Sequence, residues 1–316
     1  MVTCTDPTRA EPCPMRGAPK LEQNAPLAPL TTIRVGGAAD WLARVGSFRE
    51  VTAALDWART EGVPVAIVGK GSNLVIDDDG FRGLAINLVG RLQLISVRGR
   101  DMWCGGGASL PRAVQRAASV GLTGLEWGAS IPGTAGGAVA MNAGAHSGDL
   151  ASVLSWAVLC DADGRRRVSL ADLDFAYRHS AVRPGEVVAA VGFHLDLGDP
   201  DAIRGRLGAF RDHRRATQPQ GARTFGSVFK NPPGDSAGRL LEATGCKTLT
   251  IGQARFSAVH ANFIEAAAGS SSGDVLALMR EGRRRALEAH GVELVPEVRY
   301  LHSVRGIGAP DLTEPA

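Results

Sequence analysis

Most residues between Gly124 and His146 are Gly, Ala, Ser or Thr, punctuated by Pro132 and Asn142. A segment so poor in bulky side chains has no broad hydrophobic face and makes a poor core by itself. It can do one of two things: let backbone lie flat against a large planar ligand, or let a helix approach its neighbour closely. The rest of the chain shares the bias, since 40 of its 316 residues are Gly, against roughly 7% in an average protein. These glycines cluster at 69–71, 105–107, 133–148 and 226–245. Clustering of that kind points to demands on backbone geometry rather than to low complexity.

Otherwise the composition is that of a globular protein, 44% apolar and 21% charged, with length for two or three units of about 100–200 residues each. A net charge of +3 leaves no electrostatic footprint for nucleic acid. Arginines concentrate at 203–223 and 280–285; they can meet an anionic small molecule or solvate helix faces, and the second run is expected to do the latter. Cys4, Cys13, Cys104, Cys160 and Cys246 form no CxxC, which implies unpaired thiols in a reducing compartment and no metal site. Residues 1–20 carry Pro and charge without an apolar run, so a loose tail is expected there rather than a signal peptide or anchor. No stretch of 18 apolar residues occurs, so no membrane helix is expected and a cytoplasmic protein is.

The ordered chain is expected to begin near Leu21. Ser47 with Glu50 makes a capping box, Phe48, Val51, Leu55 and Ala58 mark one helical face, and Gly62 stops the helix. Strands follow at 63–68, 74–76 and, after a GlyPheArgGly turn, 84–88. Beyond residue 89 short strands at 94–98 and 101–104 flank a turn at Gly99, Ser109 caps a helix over 110–120, segments 155–161 and 166–170 form a hairpin, and 186–197 is a long strand. Residues 201–294 differ again, with helices over 201–216, 237–244 and 274–290, the last capped by Asp274 and stopped by Gly291. A final strand covers 295–301, and a disordered tail is expected from Gly306.

Three glycine loops invite chemistry. In Val68–Leu74 a strand runs into Gly69, Lys70, Gly71, Ser72 and Asn73, so backbone N–H groups could converge on a phosphate. The same loop could be an ordinary turn between strands, and it is no Walker loop because the Lys precedes the second Gly. TrpCysGlyGlyGlyAlaSerLeu (103–110) imitates a dinucleotide fingerprint. It fails: Leu110 stands where the third glycine belongs, and no acidic residue ends a strand about 20 residues on. The third is the small-residue run itself.

Six segments taken in order carry a resemblance: ThrThrIleArgValGlyGly (31–37), GlyLysGlySerAsnLeu (69–74), the run 130–145, TyrArgHisSer (177–180), GlySerValPheLysAsnPro (226–232) and ValProGluValArg (295–299). Together they resemble the UDP-N-acetylenolpyruvoylglucosamine reductase (MurB) family over about residues 24–301. That resemblance implies an α+β protein in which a PCMH-type FAD-binding domain of two subdomains is joined to a smaller α+β substrate-binding domain. The expected boundaries are 21–88 for the first FAD subdomain (joined by strand 295–303), 89–200 for the second and 201–294 for the substrate domain. Tails would occupy 1–20 and 304–316. The implied reaction uses NADPH and non-covalent FAD to reduce the enolpyruvyl ether of a UDP-sugar, forming UDP-N-acetylmuramate for peptidoglycan. The short spacing between Arg178 and Ser227 resembles the type II form, which lacks an inserted substrate-covering loop.

The resemblance also implies roles. Gly69, Lys70, Gly71, Ser72, Asn73 and Leu74, with Ser130, Ile131, Pro132, Gly133, Thr134, Gly137, Asn142, Ala143 and Gly144, would hold FAD. Ser227 would give a proton to the substrate α-carbon, Arg178 would steady the adjoining carboxylate, and Glu297 would orient or protonate the same group. Tyr177, Arg214, Lys230 and Asn231 would bind substrate, although Lys230 could equally be a surface lysine. Two positions depart from the family pattern: Phe225 replaces a small residue, and His146 replaces a Tyr or Phe. Alternatives to the reductase are a PCMH-type FAD oxidase of a sugar or alcohol and a non-catalytic nucleotide-binding homologue. A monomer is the default expectation.

Overall fold

A computed structural model describes residues 19–146 and 148–312. The expected N-terminal tail, except for its last two residues, lies outside the described residues. The described residues form two compact units, one comprising 19–21, Ala43–Gly69 and the described part of Ile86–Phe210, the other Glu22–Leu42, Lys70–Ala85 and 211–312. A four-stranded sheet runs in the order Leu21–Pro26, Ala38–Val45, Phe81–Leu88, Val65–Ile67. Phe81–Gly83, expected as a turn, therefore already belongs to a strand.

The first unit is built on a five-stranded antiparallel sheet. Its order is Arg165–Ser169, Leu154–Cys160, Val187–His194, Asp101–Gly105, Ile95–Arg98. The central strand is buried along its length except at His194, as its apolar sequence dictates. Helix Leu110–Ala118 lays Leu110, Ala113, Val114 and Ala117 into the core, the i, i+3, i+4, i+7 spacing of one face. Helix Phe48–Glu61 begins at Ser47, whose Oγ accepts the Glu50 N–H, and ends at Gly62 in the left-handed conformation. Glu50 reaches the Gly46 N–H at 2.6 Å, one residue before the capping-box position.

Glycines 105–107 serve this packing. A Cβ on Gly106 would lie 1.9 Å from the Val188 carbonyl oxygen, and one on Gly105 would lie 2.2 Å from that of Leu92. Short helix Ala135–Ala140 joins the same stack: Gly136 donates to the Gly106 carbonyl at 2.8 Å, and its own Cβ would meet the Val188 oxygen at 2.6 Å. Part of the small-residue run is thus there for close helix packing. We expect Gly106→Ala to lower the urea midpoint by a loss of about 1–3 kcal/mol, the usual cost of forcing atoms into a filled core. An unchanged midpoint would mean that the 105–107 backbone can move aside.

In the second unit a three-stranded sheet (Thr250–Ile251, Ala254–Phe256, Ile264–Ala266) packs with helices Ala237–Ala243 and Ser272–His290. Phe225, Val228, Phe229, Leu240, Leu241, Phe256, Val275, Leu278 and Met279 lie in one apolar cluster. The long helix starts two residues earlier than expected. Ser271 is its N-cap, and Asp274 is the third residue of a reciprocal capping box. The Asp78 carboxylate also accepts the Ser272 N–H, at 2.8 and 3.0 Å. Arg284 and Arg285 pair with Glu281, and Arg284 also with Glu288, so this arginine run solvates a helix face.

Strand Leu74–Ile76 pairs in parallel with Arg299–His302, which pairs in turn with Gly306–Gly308. The expected disordered tail therefore contains a strand, and Leu312 is buried in the core cluster. Residues 295–298 precede the final strand rather than forming it; Pro296 makes an isolated bridge to Phe229.

Candidate active site

The first unit gathers the small-residue run and the Tyr177–Arg178 pair. Thr134 caps the short helix by accepting the Gly137 N–H at 3.2 Å. Gly69 lies against that threonine, where a Cβ would come within 2.9 Å of Oγ1. Asn87 fixes the approach to this loop: its Nδ2 donates to the carbonyls of Val68 at 2.7 Å and Gly69 at 3.2 Å. Its role went unread in the sequence, where the only signal was one amide inside the apolar run LeuAlaIleAsnLeu.

Asn142 is buried, and its amide is used at both ends. Nδ2 donates to the Ala176 carbonyl at 3.0 Å, while Oδ1 accepts the Ala151 N–H at 3.3 Å. Ala176 and His179 close a two-residue turn that puts Tyr177 and Arg178 at its tip. Arg178 Nη2 donates to the Gly144 carbonyl at 2.8 Å, its guanidinium carbon lies 5.0 Å from the Tyr177 ring centre, and Ser180 Oγ donates to the Ala140 carbonyl at 2.8 Å. Asn142, His146 and Arg178 all have positive φ, at 37°, 51° and 55°. Strained backbone held by surrounding contacts is characteristic of functional sites. The His146 ring stacks on Phe210 with centroids 4.3 Å apart, so an aromatic position keeps an aromatic contact in this sequence.

These surfaces fit a large planar cofactor with phosphates. Ser130, Ile131, Gly133, Ala143, Gly144 and Ala145 are half-buried, so each shows part of itself outward, and all but Ile131 are small. Pro132 and Gly137 are exposed beside them.

The second unit carries the other half of the loop at 70–74 and the remaining candidate side chains. Gly71 is at φ +55°, and a Cβ there would lie 2.5 Å from Thr31 Cα, so only glycine fits. Lys70 is exposed, Ser72 and Asn73 half-buried, and Leu74 buried as the first residue of its strand. Asn73 Nδ2 donates to the Glu297 carbonyl at 3.2 Å, and the Asn73 carbonyl accepts the Arg299 N–H at 3.1 Å. The Val228 carbonyl accepts the Glu297 N–H at 2.9 Å, and Ser227 bridges Phe263. Asn73, at the turn before its strand, and Ser227 and Glu297 are therefore brought onto neighbouring segments from three distant parts of the sequence.

Lys230 is half-buried, with its N–H on the Val295 carbonyl at 2.8 Å. Asn231 is exposed, and its Oδ1 accepts the Ala237 N–H at 3.1 Å beside the start of helix Ala237–Ala243. Arg214 is half-buried near the end of helix Pro200–Thr217, and burial pulls its guanidinium below the usual arginine range. Phe225 is 1% exposed and belongs to the core cluster, so this departure from the expected small residue fills the interior. Among the described residues no group of three His, Cys, Asp or Glu is placed to hold a metal, and Cys104, Cys160 and Cys246 are buried free thiols. No helix among them is long and apolar enough to cross a membrane.

The fold and these loops define an FAD-binding oxidoreductase: residues 39–169 match the model of an FAD binding domain. Residues 218–301 match the model of the UDP-N-acetylenolpyruvoylglucosamine reductase C-terminal domain. The chain is 42% identical to UDP-N-acetylenolpyruvoylglucosamine reductase 2 of Symbiobacterium thermophilum, covering 90% of this chain and 93% of the relative. It is equally 42% identical to the reductase of Myxococcus xanthus, over the same shares. The crystal structure of the reductase (MurB) from Thermus caldophilus superposes with a TM-score of 0.78 at 35% identity, covering 89% of this chain and 99% of that one. A 6-hydroxy-D-nicotine oxidase from Arthrobacter nicotinovorans shares the fold, with a TM-score of 0.53 over 90% of each chain at 13% identity. The chain belongs to the UDP-N-acetylenolpyruvoylglucosamine reductase family.

Proposed function

We propose that this protein reduces UDP-GlcNAc-enolpyruvate to UDP-N-acetylmuramate in the cytoplasm, with NADPH as reductant. FAD, when bound, would supply two-electron hydride-transfer chemistry between NADPH and the substrate. The residues that would hold it are Gly69–Asn73 and Leu74 on one loop, and Ser130–Thr134, Gly137 and Asn142–Gly144 on the other. Asn142 acts through the backbone it ties down, since its amide is already engaged.

Hydride addition at the β-carbon of the enolpyruvyl group leaves an electron pair on the α-carbon, shared with the carboxylate. That charge needs a cation beside the carboxylate and a proton at the α-carbon. Arg178 is suited to the first task, since its guanidinium is oriented by the Gly144 carbonyl and the Tyr177 ring. Ser227 is suited to the second: its hydroxyl sits on an extended segment tied on both sides. Glu297, on the adjoining segment, would orient the carboxylate or return the proton to the serine. Tyr177, Arg214, Lys230 and Asn231 would bind the UDP-sugar, with the desolvated Arg214 directed at the diphosphate. The observation that carries the reading is the convergence of Asn73, Ser227 and Glu297 on adjacent segments.

The test is a steady-state assay. NADPH consumption should depend on UDP-GlcNAc-enolpyruvate and yield UDP-N-acetylmuramate in equal amount. Oxygen uptake driven by a sugar or alcohol, with no response to NADPH, would instead establish an oxidase.

A further inference from the structure

We propose that Asn262 is the positioning residue for Ser227; the inference rests on the assignment of Ser227 as proton donor. Asn262 is 3% exposed and lies in the second unit between His260 and Phe263. Its side chain grips a single residue: Oδ1 accepts the Phe229 N–H at 2.9 Å, and Nδ2 donates to the Phe229 carbonyl at 2.8 Å. Its own carbonyl accepts the Val228 N–H at 2.9 Å. The Asn262 N–H is in turn held by His260 Nδ1 at 3.1 Å. Three hydrogen bonds thus fix the two residues that follow Ser227, while Ser227 itself bridges Phe263, the neighbour of Asn262.

The opposite edge of the same segment is held by Glu297, whose N–H reaches the Val228 carbonyl at 2.9 Å. The segment is therefore clamped from both sides, and Gly226 at φ +86° supplies a flexible joint just before the serine. Without the Asn262 amide Phe229 loses both of these backbone partners, and on that side only the main-chain bond to Val228 and the Ser227–Phe263 bridge remain to hold the segment after the joint. An amide is the side chain that meets both needs of Phe229, one donor and one acceptor in a plane. An ionised carboxylate can meet only one, and its second oxygen would face the Phe229 carbonyl.

That chemistry gives a pH-dependent test, and retained flavin with normal bleaching by NADPH separates it from bulk destabilisation. Asn262→Asp is the main variant and Asn262→Ala the second, each scored for bound flavin, bleaching by NADPH and return of absorbance on adding UDP-GlcNAc-enolpyruvate. At high pH Asn262→Asp should retain flavin and bleach normally while the return slows about 10²-fold, the cost of displacing a reacting group by an ångström. On acidification the buried carboxyl takes up a proton and regains its donor, so the rate relative to wild type at the same pH should recover. Asn262→Ala should show the slow return at every pH. Parallel loss of flavin and of both half-reactions in the two variants would make Asn262 a folding residue and overturn the proposal. So would a return as fast as wild type, or a deficit in Asn262→Asp that does not change with pH. Ser227→Ala is run alongside: if it slows both half-reactions alike, the assignment of Ser227 falls. If it slows only the return while the Asn262 variants behave as wild type, the positioning role alone is refuted.

Discussion

Ser227→Ala should leave bleaching of the flavin absorbance by NADPH at its wild-type rate and slow its return with substrate by about 10²–10⁴-fold, the contribution of a positioned proton donor. The two half-reactions separate because only the second delivers a proton to carbon. Ser227 is half-buried and its neighbours Val228 and Phe229 are core residues, so removing one hydroxyl should not disturb the fold. Stopped-flow absorbance distinguishes the outcomes. Equal slowing of both halves would indicate damage to the flavin site, and no slowing would transfer the proton to Glu297 or to water. Ser227→Cys, which keeps a donor of different acidity, should recover part of the lost rate.

The second large effect should follow Arg178→Ala. Loss of one cationic donor from developing negative charge typically costs about 10²–10³ in rate, or about 2.7–4 kcal/mol. Here the loss should fall on kcat for enolpyruvate reduction, with flavin content unchanged. Arg178→Lys should restore only part of it, because an ammonium is a point charge without the planar fork that reaches Gly144 and stacks on Tyr177. Both variants keep a Cβ in a left-handed conformation that the turn already imposes, so neither adds backbone strain. An increase confined to KM would make Arg178 a binding residue only.

Local devices were the most legible in the sequence. Helix Phe48–Glu61 announced its start at Ser47 and its stop at Gly62, and the hairpin of Leu154–Cys160 and Arg165–Ser169 could be read from its turn. Devices that depend on distant chain were not. Gly105–Gly107 resembled a ligand loop, yet the reason for those glycines is the close approach of Leu88, Leu92 and Val188. Strand Gly306–Gly308 has no pattern of its own and exists because Arg299–His302 offers an edge. Asp274 looked like a cap because Asp caps helices, but Ser271 three residues earlier had the better geometry.

The candidate site divides in the same way. Arg178, Ser227 and Glu297 could be named from ordered motifs, whereas the backbone that each nearby amide holds could not. Asn87, Asn142 and Asn262 each tie down backbone 18 to 34 residues away, and a lone asparagine does not say which carbonyl it will find. His146 and Phe225 were visible as departures, but their packing against Phe210 and the second core is set by chain far away in sequence.

The most direct measurement is a single turnover without oxygen. The purified protein is bleached with one equivalent of NADPH, UDP-GlcNAc-enolpyruvate is added, and flavin absorbance is followed while product is trapped. Absorbance should return fully, with one UDP-N-acetylmuramate formed per flavin. A bleached protein that ignores this substrate and recovers its colour only when air is admitted would contradict the account.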